Sequence, residues 1–245
     1  MRNIKIVLEY DGSRYAGWQV QPSRPTIQGT LARALGELTG ADTKVTGASR
    51  TDAGVHAVAQ VASFTTAASI PLRGIMRGLN SILPGDIAVR EVQEVPPGFD
   101  ARRDAKSKTY LYRVFNRDHP TPLNRFYSWN VFYPLDIGLM QQGALLMVGK
   151  KDFSSFRAAG CGARHPVREI LSFDVEGRDD GFVEFTVRGT AFLRHMVRIM
   201  VGTLVTLGRG KISLEDVKNL VEARDRTRAP LTAPPQGLFL MEVEY

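Results

Sequence analysis

Two successive runs of alternating strand and helix patterns constrain this chain more than any other feature. Residues 3 to 10, with Ile4, Val7 and Leu8 among β-formers, read as a strand followed by a Gly- and Pro-punctuated loop. From Thr26, a plausible N-cap, the apolar residues Ile27, Leu31, Leu35 and Leu38 recur at helical spacing, and Gly40 supplies the stop. A strand over 58–64 containing Val61 and Phe64, a helix over 72–83 closed by Pro84-Gly85, and a strand over 87–95 complete the first run. Its order is that of a ferredoxin-like unit.

The stretch PPGFDARRDAKSK, residues 96–108, is a natural seam, and the pattern then restarts. A strand is expected over 110–115, a helix over 136–148, and paired strands over 170–175 and 183–187 around the turn GRDDG. A long helix over 192–207 follows, then a helix opened by a capping box at Ser213–Asp216, and a last strand over 237–244. The expected fold class is α+β. Two halves, residues 1–105 and 106–245, share a mixed, mainly antiparallel central sheet with flanking helices and a cleft between the halves.

Composition excludes several alternatives. A chain of 245 residues can bury a core without covalent staples, and its single Cys161 can form neither an internal disulfide nor a cysteine-rich zinc site. This favours a reducing compartment and a metal-free structure. The start, MRNIKIVLEYDG, reads as a first strand and not as a signal peptide, and no window approaches the length of an apolar membrane span. A cytoplasmic protein is the expectation. The net charge of +7 and sequence pI near 9.7 suit a polyanionic partner without requiring one.

The most informative segment is GASRTDAGVHA, residues 47–57. Small residues around Arg50, Thr51, Asp52 and His56 let another chain approach the backbone closely, which would put Asp52 on the floor of a cleft. The alternative is an aspartate that only fixes a turn. RTDAGVHA is one of six blocks that occur in order along the chain. The others are the single block EYDG...YAGWQ across residues 9–19, TIQG at 26–29, FDARRDAKSKTYLYRV at 99–114, FLRHMVR at 192–198 and APPQGLFL at 233–240. In these blocks the chain resembles the TruA family of tRNA pseudouridine synthases.

The resemblance implies an isomerase of the pseudouridine synthase fold, with two ferredoxin-like, RRM-like halves. Such an enzyme breaks the bond between ribose and uracil N1, turns the base and rejoins it through C5. The family's substrates are uridines of the tRNA anticodon arm, at nominal positions 38, 39 and 40, and its members are homodimers that use no cofactor and no metal. The chemistry is consistent with this: nothing is oxidised and no atom is donated, so a carboxylate, a closed pocket and an extruded nucleotide suffice.

The resemblance also assigns roles. Asp52 matches the essential aspartate. It could act as a nucleophile at ribose C1′ or uracil C6, or as a base at the sugar, and the sequence leaves all three routes open. A carboxylate kept charged away from water needs a cation beside it. Arg198 matches the family's partner for the aspartate, with Arg194, one turn earlier on the expected helix, as the rival; both could instead bind phosphate. Tyr110 matches the tyrosine that stacks on the target uracil and can help remove its C5 proton, whereas Tyr112, on the same strand face, reads as core. Leu238 closes the apolar side of the pocket.

Candidate RNA contacts are Arg50, beside Asp52, then Arg14 and Arg24 on the early loop, and Arg102 and Arg103 with Lys106 and Lys108 at the seam. Arg224, Arg226 and Arg228 form a further cluster. Asp100 stands where the family more often has His. His56 reads as a structural hydrogen-bonder, His119, His165 and His195 lack metal spacing, and Cys161 has no partner for thiol chemistry. Two rival functions remain: an RNA-binding protein without chemistry, indifferent to Asp52→Asn, and an aspartate-dependent nucleoside hydrolase, which would release uracil.

Overall fold

The computed structural model describes residues 1–245. They form two compact units, Met1–Lys106 with Phe239–Tyr245, and Ser107–Leu238.

The first unit contains β1 (Arg2–Tyr10), α1 (Ile27–Thr39), β2 (Thr46–Gly47), β3 (His56–Thr66), α2 (Leu72–Ile82) and β4 (Ile87–Val95). β1 pairs antiparallel with both β3 and β4, and the two-residue β2 pairs antiparallel with β3. The resulting order β4-β1-β3-β2 is the ferredoxin-like arrangement with a much shortened second strand. Ile4, Ile6 and Leu8 alternate onto one buried face of β1, and the helices cover it with Ile27, Leu31, Leu35, Ile75 and Leu79. Full burial of such a side chain contributes about 1.5–3 kcal/mol. Val7 lies on the opposite face, against the small cluster Ala48, Val61 and Ala101. Thr26 caps α1 by accepting from the Gly29 N–H at 3.3 Å, and Gly40 ends it in the left-handed region at φ 72°.

The second unit contains β5 (Ser107–Phe115), β6 (Trp129–Asn130), α3 (Ile137–Leu145), β7 (Gly149–Asp152), β8 (Val167–Gly177), β9 (Phe182–Gly189), α4 (Met196–Gly208) and α5 (Leu214–Ala223). Antiparallel pairing gives the order β5-β9-β8-β7, with β6 parallel to β5. This unit builds its sheet as two consecutive hairpins laid beside β5, a route different from that of the first unit. The β8–β9 turn is GRDDG, in which Gly181 adopts φ 92°. Asp136 caps α3 by accepting from Leu139 N–H at 2.8 Å, and the capping box at Ser213 and Asp216 opens α5. α4 buries every residue except Arg198 and Thr206.

Two expectations change. The helix expected from residue 192 begins at Met196, because His195 adopts a left-handed conformation at φ 60°, which a continuing helix does not allow. The final strand β10 (Leu238–Glu244) does not stay with the second half: Phe239–Tyr245 belong to the first unit, where β10 runs parallel to β3 with Phe239 opposite His56 and Leu240 opposite Ala57. The α+β class holds, with a mixed and mainly antiparallel sheet in each unit.

Candidate active site

The loop carrying Asp52 is fixed by a second layer of backbone beneath it. A Cβ on Gly12 would lie 2.0 Å from Val55 O, and one on Gly17, at φ 96°, would lie 2.6 Å from Thr51 O. These glycines of the EYDG...YAGWQ block let residues 12–18 press directly against residues 51–55. The contact is stitched by Trp18 N–H to Thr51 O at 3.0 Å and Gly54 N–H to Tyr15 O at 3.4 Å. A Cβ on Gly47 would collide with the buried Trp18 ring at 2.4 Å, so the indole fills the space beside β2.

Side chains pin the same loop from below. Gln60 is fully buried on β3; its Oε1 accepts from Ser49 N–H at 3.2 Å and its Nε2 donates to Ser49 O at 2.7 Å. Nε2 also lies 3.4 Å from Tyr10 Oη, which shares a 2.8 Å hydrogen bond with Thr51 Oγ1. Residues 52 to 55 close a turn through Val55 N–H to Asp52 O at 3.1 Å, with Gly54 at φ 76°. Asp52 therefore stands half-buried between two anchored neighbours, Thr51 and Val55. Arg50 is exposed beside it. His56 is buried, its Nδ1 accepts from Gly12 N–H at 3.1 Å, and its ring stacks on Phe239 at 4.8 Å. The same Nδ1 lies 3.2 Å from Asp11 Oδ1, so the ring ties residues 11 and 12 to β3.

In the second unit, β5 alternates with Tyr110, Tyr112 and Val114 buried and Leu111 and Arg113 half-exposed. Tyr110 is 5% exposed and meets Phe192 edge to face at 5.1 Å. Tyr112 belongs to the core: its hydroxyl donates to Pro234 O at 2.7 Å, and burial pushes its pKa well above the ordinary value. A Cβ on Gly237 would fall 2.7 Å from the Tyr112 ring, so the APPQG segment crosses that ring closely before β10 begins at the buried Leu238.

Arg198 is the one charged residue of α4. Its Nε donates to Ala233 O at 2.8 Å, and Ala233 N–H donates back to Arg198 O at 3.0 Å. Gly202 admits Leu231 O, which a Cβ would meet at 2.1 Å. The strap at 231–234 is thus tied to the first two turns of α4 and restricts the Arg198 side chain. Arg194 precedes the helix and does not share a helical face with Arg198; it is exposed, and its Nη1 donates to Ala159 O at 3.3 Å.

The remaining basic candidates are dispersed. Arg14 is engaged by Asp86, with Nε donating to Oδ2 at 2.9 Å, and Tyr15 Oη donates to Oδ1 of the same carboxylate at 2.6 Å. Arg24, Arg102 and Arg103 are exposed. Asp100 accepts from the N–H groups of Arg102 and Arg103, both at 2.9 Å, so it caps the turn that displays them. No group of three or more His, Cys, Asp or Glu is placed to hold a metal ion, and no helix is long and apolar enough to cross a membrane. Sequence reasoning missed Gln60 and Tyr10 beneath the Asp52 loop and Phe192 against Tyr110. Gln60 had one signal, the only amide in a strand otherwise built mainly of Val, Ala and Phe.

The model of the tRNA pseudouridine synthase family matches residues 6–103 and 144–245, the segments holding Asp52, Arg198 and Leu238. The chain belongs to this family. The tRNA pseudouridine synthase A of Myxococcus xanthus is 50% identical over 245 residues, covering 100% of this chain and 92% of that protein. The proteins of the same name from Geobacter sp. (strain M21) and Thermoanaerobacter sp. (strain X514) are 46% and 43% identical, with 99% and 100% of their lengths covered. Among solved structures, an archaeal box H/ACA sRNP Nop10-Cbf5 complex aligns over 95% of this chain and 58% of that chain at 11% identity, with a TM-score of 0.33, too low to bear on the fold.

Proposed function

We propose that this pseudouridine synthase isomerises uridines in the anticodon arm of tRNA, at nominal positions 38, 39 and 40, with Asp52 as its essential group. The observation that carries this reading is the pinned loop: close backbone approaches at Gly12 and Gly17 and the linked side chains of Tyr10 and Gln60 fix the segment that carries the half-buried Asp52. Such preorganisation holds a reacting group at a defined position.

The uridine leaves its stack and stacks on Tyr110. Asp52 attacks ribose C1′ or uracil C6, or removes a proton from the sugar, and the N1–C1′ bond breaks. The base turns, C5 bonds to C1′, the bond Asp52 had made breaks or the proton it had taken returns to the sugar, and the C5 proton departs while N1 gains one, so substrate and product have the same composition. Tyr110 Oη assists removal of the C5 proton. Arg198, the one charged residue of α4, holds Asp52 as the carboxylate, and its hydrogen bond to Ala233 O in the strap limits where the guanidinium can lie. Leu238 supplies an apolar wall, and Arg14, Arg24, Arg50, Arg102, Arg103 and Arg194 contact the RNA. The enzyme is a cytoplasmic homodimer in which one protomer positions the arm for the other's site.

Release of tritium from tRNA labelled at uridine C5 tests the reaction. Wild-type protein releases label without freeing uracil, and Asp52→Asn binds tRNA but releases none. Free uracil would indicate a nucleoside hydrolase, and label release by Asp52→Asn would remove the aspartate from the mechanism.

A further inference from the structure

The hairpin joining β7 to β8 concentrates cations that the reaction at Asp52 does not use. Arg157, Arg164, His165 and Arg168 fall within twelve consecutive positions, 157–168. Arg194 is bound to the same loop, since Ala158 N–H donates to Arg194 O at 3.1 Å and Arg194 Nη1 reaches Ala159 O. Lys151 stands directly opposite Arg168 in the β7–β8 register, a like-charge pairing that disfavours the hairpin.

The loop is curled by its own arginines. Arg157 Nη2 donates to Cys161 O at 2.7 Å and to Ala163 O at 2.8 Å, while Arg168 Nη1 donates to His165 O at 3.0 Å and Val167 O at 2.6 Å. No carboxylate lies within 4.0 Å of Arg157, Arg164, Arg168 or Arg194, although Arg2, Arg90, Arg113 and Arg178 all have one. Arg168 Nε is buried without a hydrogen-bond partner. Burial foremost, and the like charge of Arg157, hold the Arg168 guanidinium below its ordinary pKa. Uncompensated like charges cost stability, and their retention in one loop calls for a polyanion that neutralises them. Planar guanidinium forks suit phosphate oxygens, which accept two parallel N–H bonds.

We propose that the 157–168 loop, with Arg164 and the adjoining Arg194 exposed and Arg168 half-buried behind them, is a docking site for the phosphodiester backbone of the substrate RNA. The inference rests on the reading of tRNA as substrate and adds a contact region separate from Asp52, Tyr110 and the seam. Arg164 is the cleanest probe because it is exposed and makes no hydrogen bond or ion pair within the protein.

The experiment measures tRNA affinity of the full chain as a function of KCl concentration, for wild type, Arg164→Ala and Arg164→Lys, alongside pseudouridine formation by the wild type. Loss of one phosphate contact makes the plot of log affinity against log salt shallower by about 0.7 to 0.9. Arg164→Ala is expected to show that change and roughly fivefold weaker binding at low salt, with Arg164→Lys recovering the slope. An unchanged slope in Arg164→Ala, with pseudouridine still formed by the wild type, overturns this site and leaves the function standing. A changed slope in a protein that forms no pseudouridine does the reverse: the docking site stands and the enzymatic reading falls.

Discussion

Gln60→Leu tests whether the catalytic loop is held from beneath. Leucine fits a similar volume, so the substitution removes hydrogen bonds without opening a cavity. Two bonds to Ser49, at 3.2 and 2.7 Å, are lost, each worth about 1 kcal/mol net. Incomplete resolvation of the half-exposed Ser49 backbone adds about 1–2 kcal/mol, at the lower end of the usual penalty. Added apolar burial returns roughly 1 kcal/mol. The net loss is about 2–3 kcal/mol, which for a chain of this length lowers Tm by about 4–12 °C. The loop freed by this change carries Asp52 three residues beyond Ser49, so turnover falls further than stability at 25 °C would account for. Calorimetry and tritium release on the same preparation check both. Wild-type Tm together with wild-type turnover would refute the claim that Gln60 positions the loop.

Three further perturbations separate the supports from the chemistry. Gly12→Ala drives a methyl group into Val55 O, which a Cβ would meet at 2.0 Å, and costs about 2–3 kcal/mol by urea denaturation; a loss under about 0.5 kcal/mol would show that the loops do not depend on this approach. Tyr110→Phe retains the ring packed on Phe192 and removes only the hydroxyl, so tRNA Kd stays within about twofold while turnover drops by about 10²-fold or more, and unchanged turnover would end the proton-transfer role. Arg198→Gln lowers kcat at least about tenfold with little change in tRNA Kd, whereas a weaker Kd at full kcat would make Arg198 a phosphate contact.

Local chemistry explains which parts of the fold were legible. Thr26, Gly40 and Ser213 mark helix ends through backbone hydrogen bonds that depend on neighbouring residues alone, and the structure uses all three, whereas the helix expected over 136–148 already ends at Leu145. The start of α4 was not legible, because FLRH runs into the apolar pattern with no Gly or Pro to mark the left-handed turn at His195. The two residues of β2 are too short for any period, and the return of β10 to β3 is a long-range pairing with no local signal. Asp52, Tyr110 and Arg198 could be selected because they sit in blocks shared with a known family. Their supports could not, because Gln60, Tyr10 and Thr51 are brought together only when β1 and β3 pair. The cations of the 157–168 loop gain their meaning from missing carboxylates, which no reading along the chain reveals.

The central claim is that Asp52 drives isomerisation of anticodon-arm uridines. Position-resolved pseudouridine mapping on unmodified tRNA transcripts, incubated with wild type or Asp52→Asn, tests it most directly. The account predicts pseudouridine at nominal positions 38, 39 or 40 with the wild type and none with Asp52→Asn, although both bind the transcript. Modification confined to other regions of the tRNA, or formed equally by the Asp52→Asn protein, would contradict it.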